Sequence, residues 1–310
     1  MIKFKRKCEL YLHNADEALD LSQLRVSFEI HQATKQTPNW AVIRVYNISK
    51  DTVNRAQDEF DKIDLRVGYG NETARLFYGL IRQYNYGLRA DARDTFIDFV
   101  CSDGDIAFNQ AYVSLTIAAG WTQKDQALLA VDSLIEYGVT RGYIGDLPTR
   151  PMPRGKALFG GTRYVLNNLM TNAGADWSIK NGQAEIRPQD ELPPGVAIKL
   201  TPGTGLIGLP QQTVDGITLK ALIDARFEYG SLIEVDNSTI QGANLPVEYT
   251  ATPYIPSYDA SGVYQIYSVN HTGDTRGNEW YSELLCVSAT GGNVPKSGTY
   301  RSAVPKDRQE

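Results

Sequence analysis

Alternation of apolar and polar residues, recurring about every ten residues, is the feature that most limits what this chain can fold into. Leu24 to Ile30 (LRVSFEI) alternates strictly, and Trp40 to Tyr46 (WAVIRVY) supplies a partner of similar length. In Ile217 to Ile223 (ITLKALI), Ile217, Leu219, Ala221 and Ile223 fall on one face, with Thr218 and Lys220 opposite. A strand with one apolar face must bury it against other strands. Strands at this spacing, with few helices between them, predict a closed or stacked β architecture.

The first 105 residues follow this pattern throughout. Strands are predicted over 3–12, 24–30, 40–46, 63–69, 74–86 and 95–101, with a connection at 36–39. One short helix, Thr52 to Phe60, is interposed, and either Ser49 or Asp51 is placed to cap it. Gly79, inside the longest strand, predicts a bulge or a barrel bend. These residues read as one antiparallel barrel. From 106 to 200 the pattern changes. Thr122 to Asp125 resembles a capping box, and Leu128, Val131, Leu134 and Ile135 form a helical stripe ended by Gly138. Residues 148–153 read as a loop. A second helix opens at Gly161-Thr162 and closes at Gly174, and a hairpin turns on Asn181-Gly182. This is a small α/β insertion. Residues 201–288 read as a second barrel, with strands over 217–223, 232–235, 263–269 and 279–287. The last two flank a polar loop with Gly273 and Gly277. A proline-rich linker is expected over 245–258 and a flexible tail over 289–310.

Chemistry is sparse. Gly203-Thr204-Gly205-Leu206-Ile207-Gly208 spells a dinucleotide-binding fingerprint, but Pro210 and the Asp215-Gly216 turn leave no room for the helix it requires. It reads as a glycine-rich loop. Gly155-Lys156 lacks the flanking residues of a phosphate loop. His13, His31 and His271 have no metal-ligand spacing, and Asp98, Asp103 and Asp105 lack the terminal Glu of a calcium loop, so turn formation is their expected role. No hydrolase elbow occurs. Cofactor and metal are expected to be absent, and no catalytic residue is assigned. Cys8, Cys101 and Cys286 are far apart and read as reduced thiols of a protein made in the cytoplasm. A net charge of −5 speaks against a dedicated nucleic-acid binder, and eighteen tyrosines favour sheets and semi-polar contacts. No apolar run is long enough to span a membrane.

Several stretches resemble the baseplate hub proteins of tailed bacteriophages, the family of late control protein D, related to the hubs of contractile injection machines. They are Gly205 to Pro210 (GLIGLP), Asp215 to Ile217, Gly230 to Asn237, QTPNWAVIRVYNIS at 36–49, Phe77-x-Gly79-x-Ile81, and the paired strands near the C-terminus. The resemblance implies two tube-like barrels per chain and a homotrimeric ring. It further implies attachment to a tail tube or distal tail protein above and to a central spike below, with a channel for DNA. A virion protein without enzymatic activity or stable membrane insertion follows from it. Three other readings are a tail-borne peptidoglycan hydrolase, a receptor- or glycan-binding β protein using Trp121 or Trp280 as a platform, and the hub of a cellular injection device such as a tailocin or secretion spike.

Overall fold

The computed structural model describes residues 5–33, 38–88, 95–188, 196–242 and 258–289. The expectations for 3–4, 36–37, the linker at 245–257 and the tail beyond 289 fall outside these residues. The chain opens with strands β1 (Arg6–His13), β2 (Ala18–Asp20), β3 (Val26–Ala33) and β4 (Trp40–Tyr46), then helix α1 (Lys50–Glu59). Strands β5 (Lys62–Tyr69), β6 (Glu72–Leu88) and β7 (Thr95–Ser102) follow. The middle holds α2 (Asp105–Gln110), β8 (Tyr112–Ile117), α3 (Gln123–Asp132), β9 (Thr140–Ile144), β10 (Lys156–Gly161), α4 (Thr162–Ala173), β11 (Ala175–Lys180) and β12 (Gln183–Pro188). The remainder is β13 (Ile198–Lys199), β14 (Leu206–Thr213), β15 (Gly216–Leu222), β16 (Leu232–Glu234), β17 (Val263–Asp274) and β18 (Trp280–Ser288).

Local sequence explains most boundaries. In β3 the even-numbered residues Val26, Phe28 and Ile30 are buried, as the alternation requires. Ser49, rather than Asp51, caps α1, its hydroxyl accepting from Thr52 N at 3.1 Å. Thr122 and Asp125 close a reciprocal capping box on α3. Gly174 ends α4 in the left-handed region. Asn181 and Gly182, both at positive φ, make the two-residue turn between β11 and β12.

The barrels predicted from the sequence do not form. Thirteen strands make one open, mainly antiparallel sheet in the order β14-β15-β18-β17-β3-β4-β7-β6-β5-β1-β2, with β13 and β16 branching from β17. Two features explain this. First, β17 divides one of its edges: Val263 to Gln265 pair with β16, and Ser268 to Asp274 pair with β3. The C-terminal strands therefore extend the N-terminal sheet instead of closing on themselves. Second, the sheet folds back at Leu80, which pairs with Lys62 of β5 and with Ser102 of β7. Among the described residues, the returning strands β1 and β2 meet no further strand to close against. Before its pairing with β2, the edge of β1 is met by a loop and by side chains. Leu21 N donates to Leu10 O, Leu10 N donates to Ser22 Oγ, and the Arg6 guanidinium reaches Gly277 O at 2.9 Å. A polar cavity of about 480 Å³, lined in part by Arg6, Glu9, Asp20 and Trp280, marks the unclosed seam.

Gly79 is not itself the bulge. The register slips on either side of it, at Leu76 and at Arg82. The glycine is needed because a Cβ there would lie 2.8 Å from Ser102 O and 2.9 Å from the Phe77 ring.

Three hydrophobic cores result. One lies inside the folded-back N-terminal strands and takes in Ile223 and Trp280 from the C-terminal region. A second belongs to the α/β insertion, around Leu134, Leu166 and Ile186. The third holds β14 to β18 together through Phe227, Ile233 and Ile266. The insertion also contains two pairings beyond those the sequence pattern predicts, β8 with β10 and β9 parallel to β12.

Candidate assembly interface

The glycine-rich stretch becomes a sheet edge. Pro202–Thr204 is a single 3-10 turn, Gly205 and Gly208 take positive φ, and β14 begins at Leu206. No α-helix starts there, so backbone N–H groups are not gathered for a phosphate. One edge of β14 pairs with β15 at Leu206 and Ile207 and again from Gln211 to Thr213, while Gly208, Leu209 and Pro210 bulge out of register between them. On the other, Gln241 bonds only the end of the strand, its N donating to Pro210 O at 2.8 Å and its O accepting from Gln212 N at 2.9 Å. Among the described residues, Ile207 to Leu209 has no second strand beside it. Ile207 and Leu209 are exposed there, Leu209 to 54%, and Val214 joins them at the following turn. Strand β14 carries no charged residue. The bulge and Pro210 blunt this edge against indiscriminate strand pairing, so what it offers a partner is its exposed, uncharged apolar side chains.

The insertion is fastened to the sheet by a buried carboxylate. Asp103, only 3% exposed, follows β7 and accepts from the backbone N–H groups of Asn181 and Gly182, the latter at 3.0 Å. Asn39 completes the joint: its side-chain amide donates to Ile179 O at 3.2 Å, and its carbonyl accepts from Asp103 N at 2.9 Å. Ion pairs Lys180–Glu228 and Arg82–Asp105 flank it. Burial pushes the Asp103 carboxyl up to about 7, against the opposing pull of the two N–H donors.

The other candidates drawn from the sequence disperse into structural roles. Asp98 is not in a turn but on β7, where Arg44 grips it with bonds of 2.6 and 2.8 Å. Asp105 begins α2. The described residues hold no cluster of three metal-ligating side chains. His31 stacks on Trp40, and His13 lies beside Tyr11. His271 is fully buried with Nδ1 2.7 Å from Ser282 Oγ, and burial depresses it to about 3. Trp280 packs edge-on to Phe28 inside the first core and is no surface platform, whereas Trp121 is half-buried beside a cavity. Cys8, Cys101 and Cys286 are free thiols, and burial raises all three. Glu9 and Asp20 both line the seam cavity. Hydrogen bonds from Lys7 and Thr73 hold Glu9 below its usual range, opposite to the raised carboxyl a glycosidase acid needs.

No family model and no curated protein matches the sequence. Solved structures do. A tail protein from Neisseria meningitidis superposes with a TM-score of 0.57 at 8% identity, over 93% of this chain and 99% of that one. The 43 kDa tail protein of prophage MuSo2 from Shewanella oneidensis gives 0.56 at 9% identity, over 91% and 98%. The chain shares its fold with these two tail proteins. A type VI secretion component from E. coli, described as structurally similar to the T4 tail proteins gp27 and gp5, matches with a TM-score of 0.55 at 12% identity, over 90% of this chain and 76% of that one. At these identities the shared property is the fold, and the β14 edge and the Asp103 joint are features of this chain's own residues. The sequence signal for the edge lies in Gly205 to Pro210, where apolar residues occur without charge. No signal marks the joint, because its partners are 78 and 79 positions away in the chain.

Proposed function

We propose that this chain is a structural hub protein of a phage-like tail. In this reading three copies form a closed ring, joined to the tail tube or a distal tail protein on one side and to a central spike on the other, with a channel through which DNA passes. Residues 1–105 and 201–288 supply the ring-forming units, and 106–200 is an insertion between them. The observation that carries the reading is the fold shared with two tail proteins over more than nine-tenths of both chains. The exposed edge of β14 supports it, because a ring of identical subunits needs a surface that a neighbour completes. The modest negative charge suits a wall that DNA passes without adhering. The protein would work in the virion tail after assembly in the host cytoplasm, without catalysing a reaction.

The test is reconstitution with tail tubes from the same phage or prophage. Purified tubes incubated with the chain should acquire a cap of density at one end in negative-stain electron microscopy. Tubes that stay bare, or that bind the chain along their sides, would remove the hub reading.

A further inference from the structure

A second cavity, of about 390 Å³, opens between the start of α3, strand β10 and the outer face of α4. Its size lies within the range of small-ligand sites, roughly 300–1,000 Å³. It belongs to the insertion and shares no residue with the β14 edge. Two aromatic side chains border it. Phe159 is 77% exposed, a large apolar surface in water, and the Tyr112 ring braces it edge-on at 5.1 Å. Trp121 is held by its own indole N–H, which donates to Arg154 O at 2.8 Å, and by the Lys156 ammonium 5.2 Å from its ring centroid.

The polar groups between these rings are amides. Gln123, Gln126, Asn168 and Asn172 all line the cavity, and among the described residues no carboxylate does. Gln126 is nearly fully buried, and its Oε1 accepts from Lys156 Nζ at 3.2 Å, so its N–H₂ is the end left for a ligand. Gln123 Oε1 has no hydrogen-bond partner among the described residues and is closed to solvent, so it gains a donor from a ligand only when the side chain turns outward into the cavity. Each amide both donates and accepts, which matches paired hydroxyls better than it matches a charge. Lys156, the one cation lining the cavity among the described residues, is already committed to Gln126, so an anionic ligand would find little to hold it.

We infer that this cavity binds a neutral, N-acetylated saccharide. The C–H face of a pyranose ring would lie on Phe159 and Trp121, and its hydroxyls would meet the amides. With the Gln123 side chain turned outward, the acetamido N–H would supply the donor that its Oε1 lacks, and the methyl would lie against Val165 and Leu169. The assignment does not depend on the hub reading, since ring formation and sugar binding use different residues.

Calorimetric titration of the full chain with tri-N-acetylchitotriose tests it, with cellotriose as the comparison of the same linkage lacking acetamido groups. Saturable binding of the acetylated sugar is expected, with cellotriose, Phe159→Ala and Gln123→Ala each weakening it by about tenfold or more. Phe159 is exposed, so its truncation leaves the fold intact, and near-UV circular dichroism verifies this. No heat of binding up to roughly 5 mM sugar, a limit that still detects millimolar affinity, would overturn the assignment. So would equal affinity for cellotriose, or unchanged affinity in the Phe159→Ala protein. Those results would leave the aromatic border to a protein partner.

Discussion

Replacing Asp103 with Asn should change how stability depends on pH, and the size of the change follows from the joint's geometry. In the folded chain the Asp103 carboxyl is raised from its ordinary 3.8 to about 7 by burial. The folded state therefore holds its proton more tightly than the unfolded state. Its contribution to stability is greatest below the unfolded value and falls as pH rises towards 7, by about 1.4 kcal/mol per pH unit, or about 4 kcal/mol over the whole interval. His271 acts with the opposite sign. Its folded value of about 3 lies below its ordinary 6.5, so it loses stability as pH falls through the same window. The two slopes nearly cancel in the native protein, and a pH profile of that protein alone would hide both. The difference between native and Asp103→Asn proteins isolates the carboxyl, because His271 is common to both. Asn keeps an acceptor for one of the two backbone N–H groups and opposes an N–H₂ to the other, a loss of about 1–3 kcal/mol that does not vary with pH. Urea unfolding followed by tryptophan fluorescence reports on this joint through Trp177, buried in the core of the insertion, together with the chain's three other tryptophans. Between pH 5 and 7 the stability difference should shift by about 2–3 kcal/mol in favour of Asn. A difference that stays constant across that window would refute the claim that Asp103 is buried and titrating at the joint.

Two further perturbations probe the packing. His271→Gln should leave the Asp103 slope uncompensated, because the variant has no imidazole that the unfolded chain protonates and the folded protein does not. Its urea midpoint should rise as pH falls from 6.5 to 4.5, while that of the native protein stays nearly level, and parallel profiles would contradict the burial of His271. Gly79→Ala should destabilise the first core by about 1–3 kcal/mol in urea unfolding, since the new methyl meets Ser102 O and the Phe77 ring at separations that require a shift. An unchanged midpoint would mean that β6 relaxes between its two bulges without cost.

The parts of this fold that are legible in the sequence are those whose cause is local. Trp40–Tyr46 has the bounds its alternation predicts, because turn-forming residues interrupt the pattern at both ends. The caps at Ser49 and Thr122 and the turn at Asn181-Gly182 are set within four residues of chain. Strand Tyr112–Ile117 also alternates, but over only six residues, and the stripe read from Leu128 to Ile135 is not the buried face of α3, which ends at Asp132 and buries Gln126, Ala127, Ala130 and Val131. Barrel closure is not legible, for a physical reason. Alternation says that a strand has one buried face, but not which strand lies at its edge. The pairing of β17 with β3 joins residues about 240 positions apart, and it is this contact that opens both expected barrels into one sheet. The same limit hides the Asp103 joint. A carboxylate between β7 and a short helix reads as a turn residue, and only the fold brings the Asn181-Gly182 turn to it. Apolar Ile207 and Leu209 stand in plain view, but a glycine-rich loop and an open edge strand have the same composition.

The central claim, self-assembly through the β14 edge into a closed ring, is tested most directly by light scattering on the purified chain after size exclusion. The account predicts a mass near three times 34.4 kDa, about 103 kDa, for the native protein. It predicts a mass near 34.4 kDa for a variant carrying Ile207→Lys and Leu209→Lys, with an unchanged circular dichroism spectrum because both side chains are exposed. A native protein that elutes as a clean monomer, or a trimer indifferent to the two lysines, would contradict it.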